Sequence, residues 1–295
     1  MEKVIRHANA TDNLTIIYLE AIEQMDTNDL RRYNPEGSLL RIHQKKLLEA
    51  LKAFAAICEE NDIKWWLCSG TLLGAARHKG FIPWDDDMDV ALMKKDYRKL
   101  QKVMRERKPD KYFFQTMETD IDYVNPFAHF GYKEIVKELG RTPYYRYICF
   151  DIFPMEKSSR FAAHLAKFFY YNMQYPTRYI RNKTFRRFCI RLVEAINFAL
   201  LIPFARLIGI INPKKQYHYF LGAGFWKSAF YIKDIFPLST MEFEGHTFPV
   251  PGDTNAYLTK IYGDWSKIPS EEKIKRSIHG LEYYEEIFGK KINNL

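Results

Sequence analysis

Cysteine is scarce in this sequence, whose 295 residues include four: Cys58, Cys68, Cys149 and Cys189. No two of them have the C-x-x-C spacing of a zinc ribbon, which argues against a structural zinc site. Three of them, at positions 58, 68 and 149, lie in or beside apolar runs, where cysteine usually serves as a small core residue. We therefore expect a reduced, cytoplasmic protein.

Long apolar runs are also lacking. Residues 1–7 do not contain the apolar core of a signal peptide, so we expect no such peptide. No segment reaches the roughly 18–20 uncharged apolar residues that a membrane span needs. The nearest segment, residues 195–211, is interrupted by Asn197, Pro203 and Arg206. These absences predict a cytoplasmic protein that is, at most, peripheral at the inner face of the membrane.

Acidic residues are fewer than basic residues, 36 against 45, and the net charge is +9. This balance favours anionic ligands, among them nucleotides, phosphorylated glycans and an anionic membrane surface. Residues 156–225 interleave basic and aromatic side chains, but no nucleic-acid-binding motif accompanies them, so we expect no nucleic acid partner. The same segment is predicted to be helical. It either packs on the sheet as a second layer or lies against a membrane interface.

Four of the acidic residues are concentrated at positions 85, 86, 87 and 89, just before the apolar residues 90–93. If this stretch is a strand, Asp85, Asp87 and Asp89 project from one face and Asp86 projects from the other. Three carboxylates on one face suit a hard cation, Mg²⁺ or Mn²⁺, which usually brings a phosphate with it. The alternative is a solvated acidic turn, as for most charge runs.

A lone acid, Asp151, stands inside an apolar strand predicted at residues 147–153. A buried carboxylate is costly without a partner, so Asp151 is a site candidate. A capping or salt-bridged Asp near the strand end is the alternative.

The turn Ser69-Gly70-Thr71 separates a strand predicted at 63–68 from a helix predicted at 72–77. Backbone N–H groups of such a turn, together with the helix N-terminus, bind anions. A plain tight turn has the same composition and is the alternative reading.

The remaining pattern predicts the alternating helices and strands of an α/β fold. Residues 1–38 look like a loose lead-in to a domain that occupies 39–295, with a helical insertion at about 157–225. Apolar spacings of three and four predict an amphipathic helix over 39–60. Further predicted elements are helices at 94–107, at 254–262 and from Ser270, strands at 112–117 and 127–136, and a hairpin at 241–250.

Residues 69–90 read Ser-Gly-Thr-Leu-Leu-Gly-Ala-Ala-Arg-His-Lys-Gly-Phe-Ile-Pro-Trp-Asp-Asp-Asp-Met-Asp-Val, which resembles the signature of the LicD family. That family includes bacterial phosphocholine transferases and is related to fukutin and fukutin-related protein. Two further blocks resemble it: Phe-Asp-Ile-Phe-Pro at 150–154, and Phe-Pro-Val-Pro at 248–251 followed by Tyr-Gly-Asp-Trp at 262–265. The resemblance runs from about residue 39 to residue 279.

The resemblance implies a polymerase-β-type nucleotidyltransferase core, which is a small mixed sheet flanked by helices. It also implies an enzyme that uses Mg²⁺ or Mn²⁺ to transfer a phospho-alcohol such as phosphocholine. The implied donor is CDP-choline or another CDP-linked alcohol, and the acceptor is a hydroxyl of a cell-surface glycan, such as lipopolysaccharide or teichoic acid, or of its lipid-linked precursor. The alternatives are a nucleotidyltransferase acting on a protein, an RNA or a small molecule, and a catalytically inactive, membrane-associated scaffold.

The resemblance also implies roles for individual residues. The implied metal ligands are Asp85, Asp87, Asp89 and Asp151. The last three are the implied catalytic residues, and Asp151 either completes the metal site or takes the proton of the acceptor hydroxyl. The residues implied for nucleotide and phosphate binding are Ser69, Gly70, Thr71, Arg77 and Lys133. Lys133 precedes the Asp151 strand, where a surface lysine is an equal alternative, and His279 is a further candidate because its helical region could face the site.

Overall fold

A computed structural model describes residues 30–107, 111–133, 137–138, 145–146, 148–210, 216–219 and 228–277. The helices are α1 Leu39–Glu60, α2 Ser69–His78, α3 Lys94–Arg107, α4 Arg160–Phe169, α5 Lys183–Ile196, α6 Ile202–Ile210, α7 Ile232–Ile235, α8 Thr254–Tyr262 and α9 Glu271–Ser277. Short 3₁₀ and π segments accompany them at Leu30–Tyr33, Tyr170–Gln174, Tyr175–Tyr179 and Asn197–Leu201.

The strands are β1 Trp65–Leu67, β2 Asp89–Met93, β3 Tyr112–Gln115, β4 Ala128–Tyr132, β5 Lys137–Glu138, β6 Tyr145–Arg146, β7 Cys149–Lys157, β8 Tyr217–Tyr219, β9 Ser239–Phe243 and β10 His246–Val250. Six of them form one mixed sheet in the order β1-β2-β7-β4-β3, with β8 against the end of β7. Strands β2 and β7 run parallel, whereas the other pairs described in this sheet are antiparallel. This mixed sheet with flanking helices confirms the predicted α/β class.

Helix α1 covers one face of this sheet and has the bounds that its apolar spacing predicts. Its Phe54 is fully buried, and the Phe54 ring lies 5.7 Å from the ring of Phe130 and 5.4 Å from that of Phe150. Alternate residues of a strand point to opposite faces. The neighbours of these two aromatic residues, His129 and Asp151, therefore point to the face away from α1.

Residues 160–210 form a helical hairpin beside the sheet, with one arm at 160–179 and the other at 183–210. The Tyr170 hydroxyl donates to the carbonyl oxygen of Val124, so the hairpin is tied to the sheet domain. The prediction that residues 156–225 are all helical is wrong at both ends. Strand β7 extends to residue 157, and residues 217–219 return to the sheet as β8, because they pair with the exposed edge of β7.

The end of the described chain follows the predicted pattern closely. Strands β9 and β10 form the expected hairpin, and α8 ends at Gly263, whose φ of +69° suits a residue without a side chain. Near the start, the ring of Tyr33 packs edge-on against that of Trp84 at 5.6 Å. Residues 30–38 thus contact the core, while residues 1–29 lie outside the described residues.

Candidate active site

Three polar side chains form a row across three neighbouring strands. Asp89, the first residue of β2, is in register with Asp151 of β7, and Asp151 is in register with His129 of β4. The Nε2 atom of His129 lies 3.0 Å from Oδ1 of Asp151. Side chains of directly paired residues project from the same face, with Cβ atoms about 5 Å apart. The sheet therefore brings together acids that are far apart in the chain.

Residues 85–87 lie in the loop before β2 and not in the strand, so the predicted alternation of these acids is wrong. Two buried polar side chains of α1 hold this loop. Gln44 donates to the carbonyl oxygen of Asp85 at 2.8 Å, and His43 Nε2 lies 2.9 Å from the carbonyl oxygen of Asp86. These bonds occupy carbonyl groups that a strand would offer to its neighbour.

Because they lie in a loop, these carboxylates cluster instead of alternating. Asp85, Asp86 and Asp87 each place an oxygen within 4.8 Å of the others. The strand interpretation put Asp86 on the opposite face, whereas the loop brings it into the group. Carboxylate oxygens this close to one another fit the coordination of one hard cation.

The charges of the loop acids Asp85 and Asp87 act on Asp89 of the row. Burial raises the pKa of Asp89 well above its usual value, and the charges of Asp151, Asp87 and Asp85 raise it further. Burial and the neighbouring Asp87 raise the pKa of Asp85 to about 7. Like charges that are buried together disfavour ionisation. A bound cation would remove this repulsion, so these residues have the electrostatics of a cation-binding centre.

The Ser69-Gly70-Thr71 segment is the first turn of α2 and contacts the acids directly. The sequence predicted this turn ahead of the helix, but the helix already begins at Ser69. The hydroxyl oxygen of Thr71 accepts a hydrogen bond from the backbone N–H of Asp89 at 2.7 Å. A Cβ atom on Gly70 would lie 2.8 Å from Oδ2 of Asp85, so the close approach requires glycine. The first N–H groups of a helix have no acceptor within it, which makes this end suitable for phosphate.

His129 is a site residue that the sequence interpretation missed. Burial alone would lower the pKa of His129, but Cys149 and Asp151 raise it well above its usual value. The register of β4 on β7 thus gives Asp151 an imidazole partner at 3.0 Å. The ring of Tyr123 packs edge-on against that of His129 at 4.9 Å. The need of Asp151 for a partner was visible in the sequence, but identifying His129 required the register of β4 on β7.

Tyr262 is a second residue that was missed. Burial raises its pKa, and the charges of Asp89 and Asp85 raise it further, so its hydroxyl lies within electrostatic reach of these acids. The charge of Arg77 acts on Tyr262 in the opposite direction. Arg77 also donates to the carbonyl oxygen of Lys267 at 3.2 Å. Arg77 thus lies at the edge of the site, where it holds the chain that follows α8.

Lys133 does not lie beside the row of Asp89, Asp151 and His129. It is exposed, just past the end of β4, and four residues from His129, which corresponds to about 13 Å along a strand. A role for Lys133 in binding the donor stays a prediction. His279, the remaining candidate, lies outside the described residues.

A cavity of about 370 Å³ lies between the sheet domain and the helical hairpin. Phe127 lines this cavity, and the Phe127 ring lies 5.7 Å from the ring of His129. The charged residues that line it are Lys94, Arg98, Arg191, Arg206, Glu118 and Glu194. Its volume is in the range of small-molecule binding sites.

Paired acids on neighbouring strands of a small mixed sheet, beside a helix that begins with small residues, are consistent with a nucleotidyltransferase-like core. Residues 62–195 match the family model described as LicD/FKTN/FKRP, nucleotidyltransferase domain. The lipopolysaccharide cholinephosphotransferase LicD of Haemophilus influenzae is 31% identical over 252 residues, which are 80% of this chain and 94% of that protein. The ribitol 5-phosphate transferases FKRP of Homo sapiens and Mus musculus are each 38% identical over 52 residues, which are 18% of this chain and 10% of those proteins. The chain therefore belongs to the LicD family, and the resemblance of its motifs is confirmed.

Proposed function

We propose that this chain is a metal-dependent phosphotransferase. It moves a phospho-alcohol, phosphocholine or a similar group, from a CDP-linked donor to a hydroxyl of a cell-surface glycan or its lipid-linked precursor. The relatives support this class of reaction, because one is a lipopolysaccharide cholinephosphotransferase and two are ribitol 5-phosphate transferases. The two alcohols differ, so the proposal names a CDP-alcohol and not CDP-choline alone.

The main structural support is the pairing of Asp89 with Asp151 on parallel strands, next to the carboxylates of residues 85–87. A donor set made of carboxylate oxygens fits Mg²⁺ or Mn²⁺, and burial beside Asp151, Asp87 and Asp85 raises the pKa of Asp89. The residues that would hold the ion are Asp85, Asp87, Asp89 and Asp151. When bound, the ion supplies neutralisation of the charge on the donor's diphosphate.

In the proposed transfer, a bond forms between the acceptor hydroxyl oxygen and the phosphorus that bears the alcohol, and the bond from that phosphorus to CMP breaks. Asp151 takes the hydroxyl proton or completes the cation site. His129 contacts Oδ1 of Asp151, which orients the carboxylate and leaves its second oxygen for either task. The N–H groups at the start of α2 bind phosphate oxygens of the donor.

The cavity beside Phe127 is the proposed acceptor site. The ring of its wall residue Phe127 lies 5.7 Å from that of His129, and the helical hairpin contributes part of its wall. Basic residues outnumber acidic ones in its lining, which favours a phosphorylated or otherwise anionic glycan. In this arrangement the helical hairpin would contribute to the choice of acceptor, and the acids would bind the donor.

Donor turnover tests the proposed function. The full chain is incubated with CDP-choline, CDP-ribitol or CDP-glycerol, with and without Mg²⁺, and with a glycan acceptor, and release of CMP is measured. We expect release that depends on both the cation and the acceptor, and a cation-dependent rise in melting temperature with the true donor. The absence of both effects for every CDP-alcohol would overturn the proposal.

A nucleotidyltransferase is the second candidate, because paired acids in such a core would serve nucleotide transfer equally well. Incorporation of labelled nucleotide into a protein, an RNA or a small molecule, in place of CMP release, would favour it. A catalytically inactive scaffold is the third candidate. A calorimetric titration that finds no cation-dependent nucleotide binding would favour that role.

A further inference from the structure

The helical hairpin of residues 160–210 exposes its apolar side chains. Among the described residues, eleven of the fourteen large hydrophobic side chains that are exposed fall between residues 161 and 207. The following eight of them are each more than half exposed: Phe161, Phe168, Tyr179, Phe185, Phe188, Leu200, Phe204 and Leu207. At roughly 100 Å² each, the eleven expose on the order of 1,000 Å² of apolar surface on this one hairpin, against about 300–600 Å² for the largest apolar patch of a typical monomer.

Three polar side chains of the hairpin, in contrast, are buried. Arg186 is 5% exposed, Asn197 is 2% exposed and Gln174 is 1% exposed. Asn197 donates to the side-chain oxygen of Gln174 at 3.4 Å, and Arg186 bonds to Asp122 of the sheet domain at 3.1 Å. A helix of a water-soluble protein has the opposite polarity, with its apolar stripe toward the core.

The exposed side chains of the second arm follow a helical stripe. Phe185, Phe188 and Leu192 recur at intervals of three and four, and Leu200, Phe204 and Leu207 repeat the same intervals. Residues at these spacings share one face of a helix. The stripe is therefore about 30 Å long, at 1.5 Å per residue.

The second arm could cross a membrane by its length and composition alone, because Lys183–Ile208 is a helix of 26 residues that are mostly apolar. Its two ends, however, are both tied to the sheet domain. Arg186 bonds to Asp122 near the start, and Arg206 lies 3.3 Å from Glu156 of β7 near the end. These arginines are about 30 Å apart along the helix, which is the thickness of the hydrocarbon core. A helix held to one domain at both ends lies along a membrane surface and does not cross it.

The charge of the hairpin indicates which kind of membrane surface it would contact. Residues 157–210 contain ten Lys and Arg residues and a single acid, Glu194. Arg160, Arg181 and Lys183 are among the exposed cations. Basic side chains next to an apolar helical face are typical of helices that lie in the interface of an anionic bilayer.

We propose that the hairpin is a monotopic membrane anchor, which lies on an anionic lipid bilayer with its apolar stripe at the boundary between headgroups and acyl chains. The occupant of the exposed face is thus lipid, and neither a second copy of this chain nor another protein. Membrane binding and phosphotransfer are separate properties, so a failure of one leaves the other standing.

Sedimentation of the full chain with vesicles tests the anchor. We expect binding to vesicles of phosphatidylcholine mixed with phosphatidylglycerol, less binding to phosphatidylcholine alone, and a fall in binding as salt is added. This comparison uses the native chain and needs no variant. Equal sedimentation with and without anionic vesicles would overturn the proposal.

A quadruple variant, Phe185→Gln with Phe188→Gln, Leu200→Gln and Phe204→Gln, tests the stripe itself. It should lower vesicle partitioning by at least about tenfold with an unchanged melting temperature, since each side chain contacts solvent in the absence of lipid. The matched control, Ile232→Gln with Ile268→Gln, changes exposed apolar residues outside the hairpin and should bind as the native chain does.

Three outcomes would overturn the assignment of the stripe to lipid. The quadruple variant could bind vesicles as tightly as the native chain, or the control could lose binding equally. The third outcome is a native chain that self-associates in sedimentation velocity without vesicles, together with a quadruple variant that is monomeric, because the stripe would then belong to a dimer interface.

Discussion

The active-site row and the helical hairpin depart from the usual polarity of a protein in different ways. In the row, acids lie close to one another, and burial together with like charge raises the pKa of Asp89. In the hairpin, Phe188 is exposed while Arg186 is buried, but Arg186 has its counter-charge, Asp122, within the protein. Within the described residues, Asp89 of the row is surrounded mainly by other acids, and the apolar stripe of the hairpin is exposed. We interpret their partners as a divalent cation and a lipid surface.

An Asp→Asn substitution should therefore change stability in opposite directions in the two regions. Removing a carboxylate from the row relieves repulsion, whereas removing the carboxylate of Asp122 leaves Arg186 buried without its counter-charge. Asp62, which is exposed and lies in the turn after α1, outside both regions, offers the matched Asp→Asn control.

Asp89→Asn should have the largest effect on catalysis. We expect CMP release to fall by at least about a thousandfold, since the cation site loses a charged ligand. The melting temperature of the metal-free protein should stay the same or rise, because a repelling charge is gone. Both quantities are measured beside Asp62→Asn, which should match the native chain. An Asp89→Asn protein that is unfolded would mean that the acid is structural.

Asp122→Asn should have the largest effect on stability. Its carboxylate receives bonds from Arg186 and from Arg187, at 3.1 Å and 2.7 Å. Breaking a buried ion pair on one side costs about 3–5 kcal/mol, so we expect a loss of about 3 kcal/mol in the free energy of unfolding.

Urea denaturation measures this change, and cation binding by the folded fraction should be unaffected. A variant as stable as the native chain would show that the hairpin is not held by this pair, and would remove one of the two ties that place it along the membrane.

The pH dependence of the metal-free protein should show the repulsion in the row. The pKa of Asp85 is about 7 in the folded protein and about 3.9 in an unfolded chain. Between these values the folded state binds more protons than the unfolded state, so stability falls as pH rises from about 4 to about 7. Asp85 is partly exposed, so we expect a loss on the order of 2 kcal/mol from this group.

Denaturation in EDTA at about pH 5 and about pH 8 measures this loss. Asp85→Asn should flatten the dependence, Asp62→Asn should leave it intact, and Mg²⁺ should restore stability at the higher pH. A metal-free protein that gains stability over this range would contradict the electrostatic interpretation of the site.

Gly70→Ala should change stability least of these variants, but it should weaken cation binding. The new Cβ atom would lie 2.8 Å from Oδ2 of Asp85, and that side chain must move away. Alanine favours a helix over glycine by up to about 1 kcal/mol, which offsets the cost, so stability should change little. We expect cation affinity to fall about tenfold by calorimetry. Unchanged affinity would show that Asp85 is not a ligand.

Local patterns predicted a large part of the fold. The bounds of α1 and α3 agree with the structure, because apolar spacing and the flanking polar residues lie within a few positions of the helix itself. The hairpin of β9 and β10 follows from Glu244-Gly245, where both residues have a positive φ. The small-residue turn at 69–71 was also identified from composition, although it proved to be the first turn of a helix.

The errors about the site and the hairpin concern residues whose conformation depends on distant partners. Residues 85–87 alternate as a strand would, yet His43 and Gln44 of α1 bond to their carbonyl groups and hold them as a loop. His129 has no local signal of a site role, because only the pairing of β4 with β7 puts it beside Asp151. The basic and aromatic composition of the hairpin left two interpretations open, since composition does not say which side chains face outward.

The chemistry available to this protein can be read from its chain, because a dense group of acids, a small-residue turn and a lone Asp151 in an apolar strand are local features. The arrangement of that chemistry comes from contacts between remote segments. Strand register puts Asp89, Asp151 and His129 in one row, and two ion pairs to the sheet domain turn the apolar side of the hairpin outward. A register shift of one residue would move each side chain of the row to the other face, so the pairing of whole strands, and not the residues alone, makes the site.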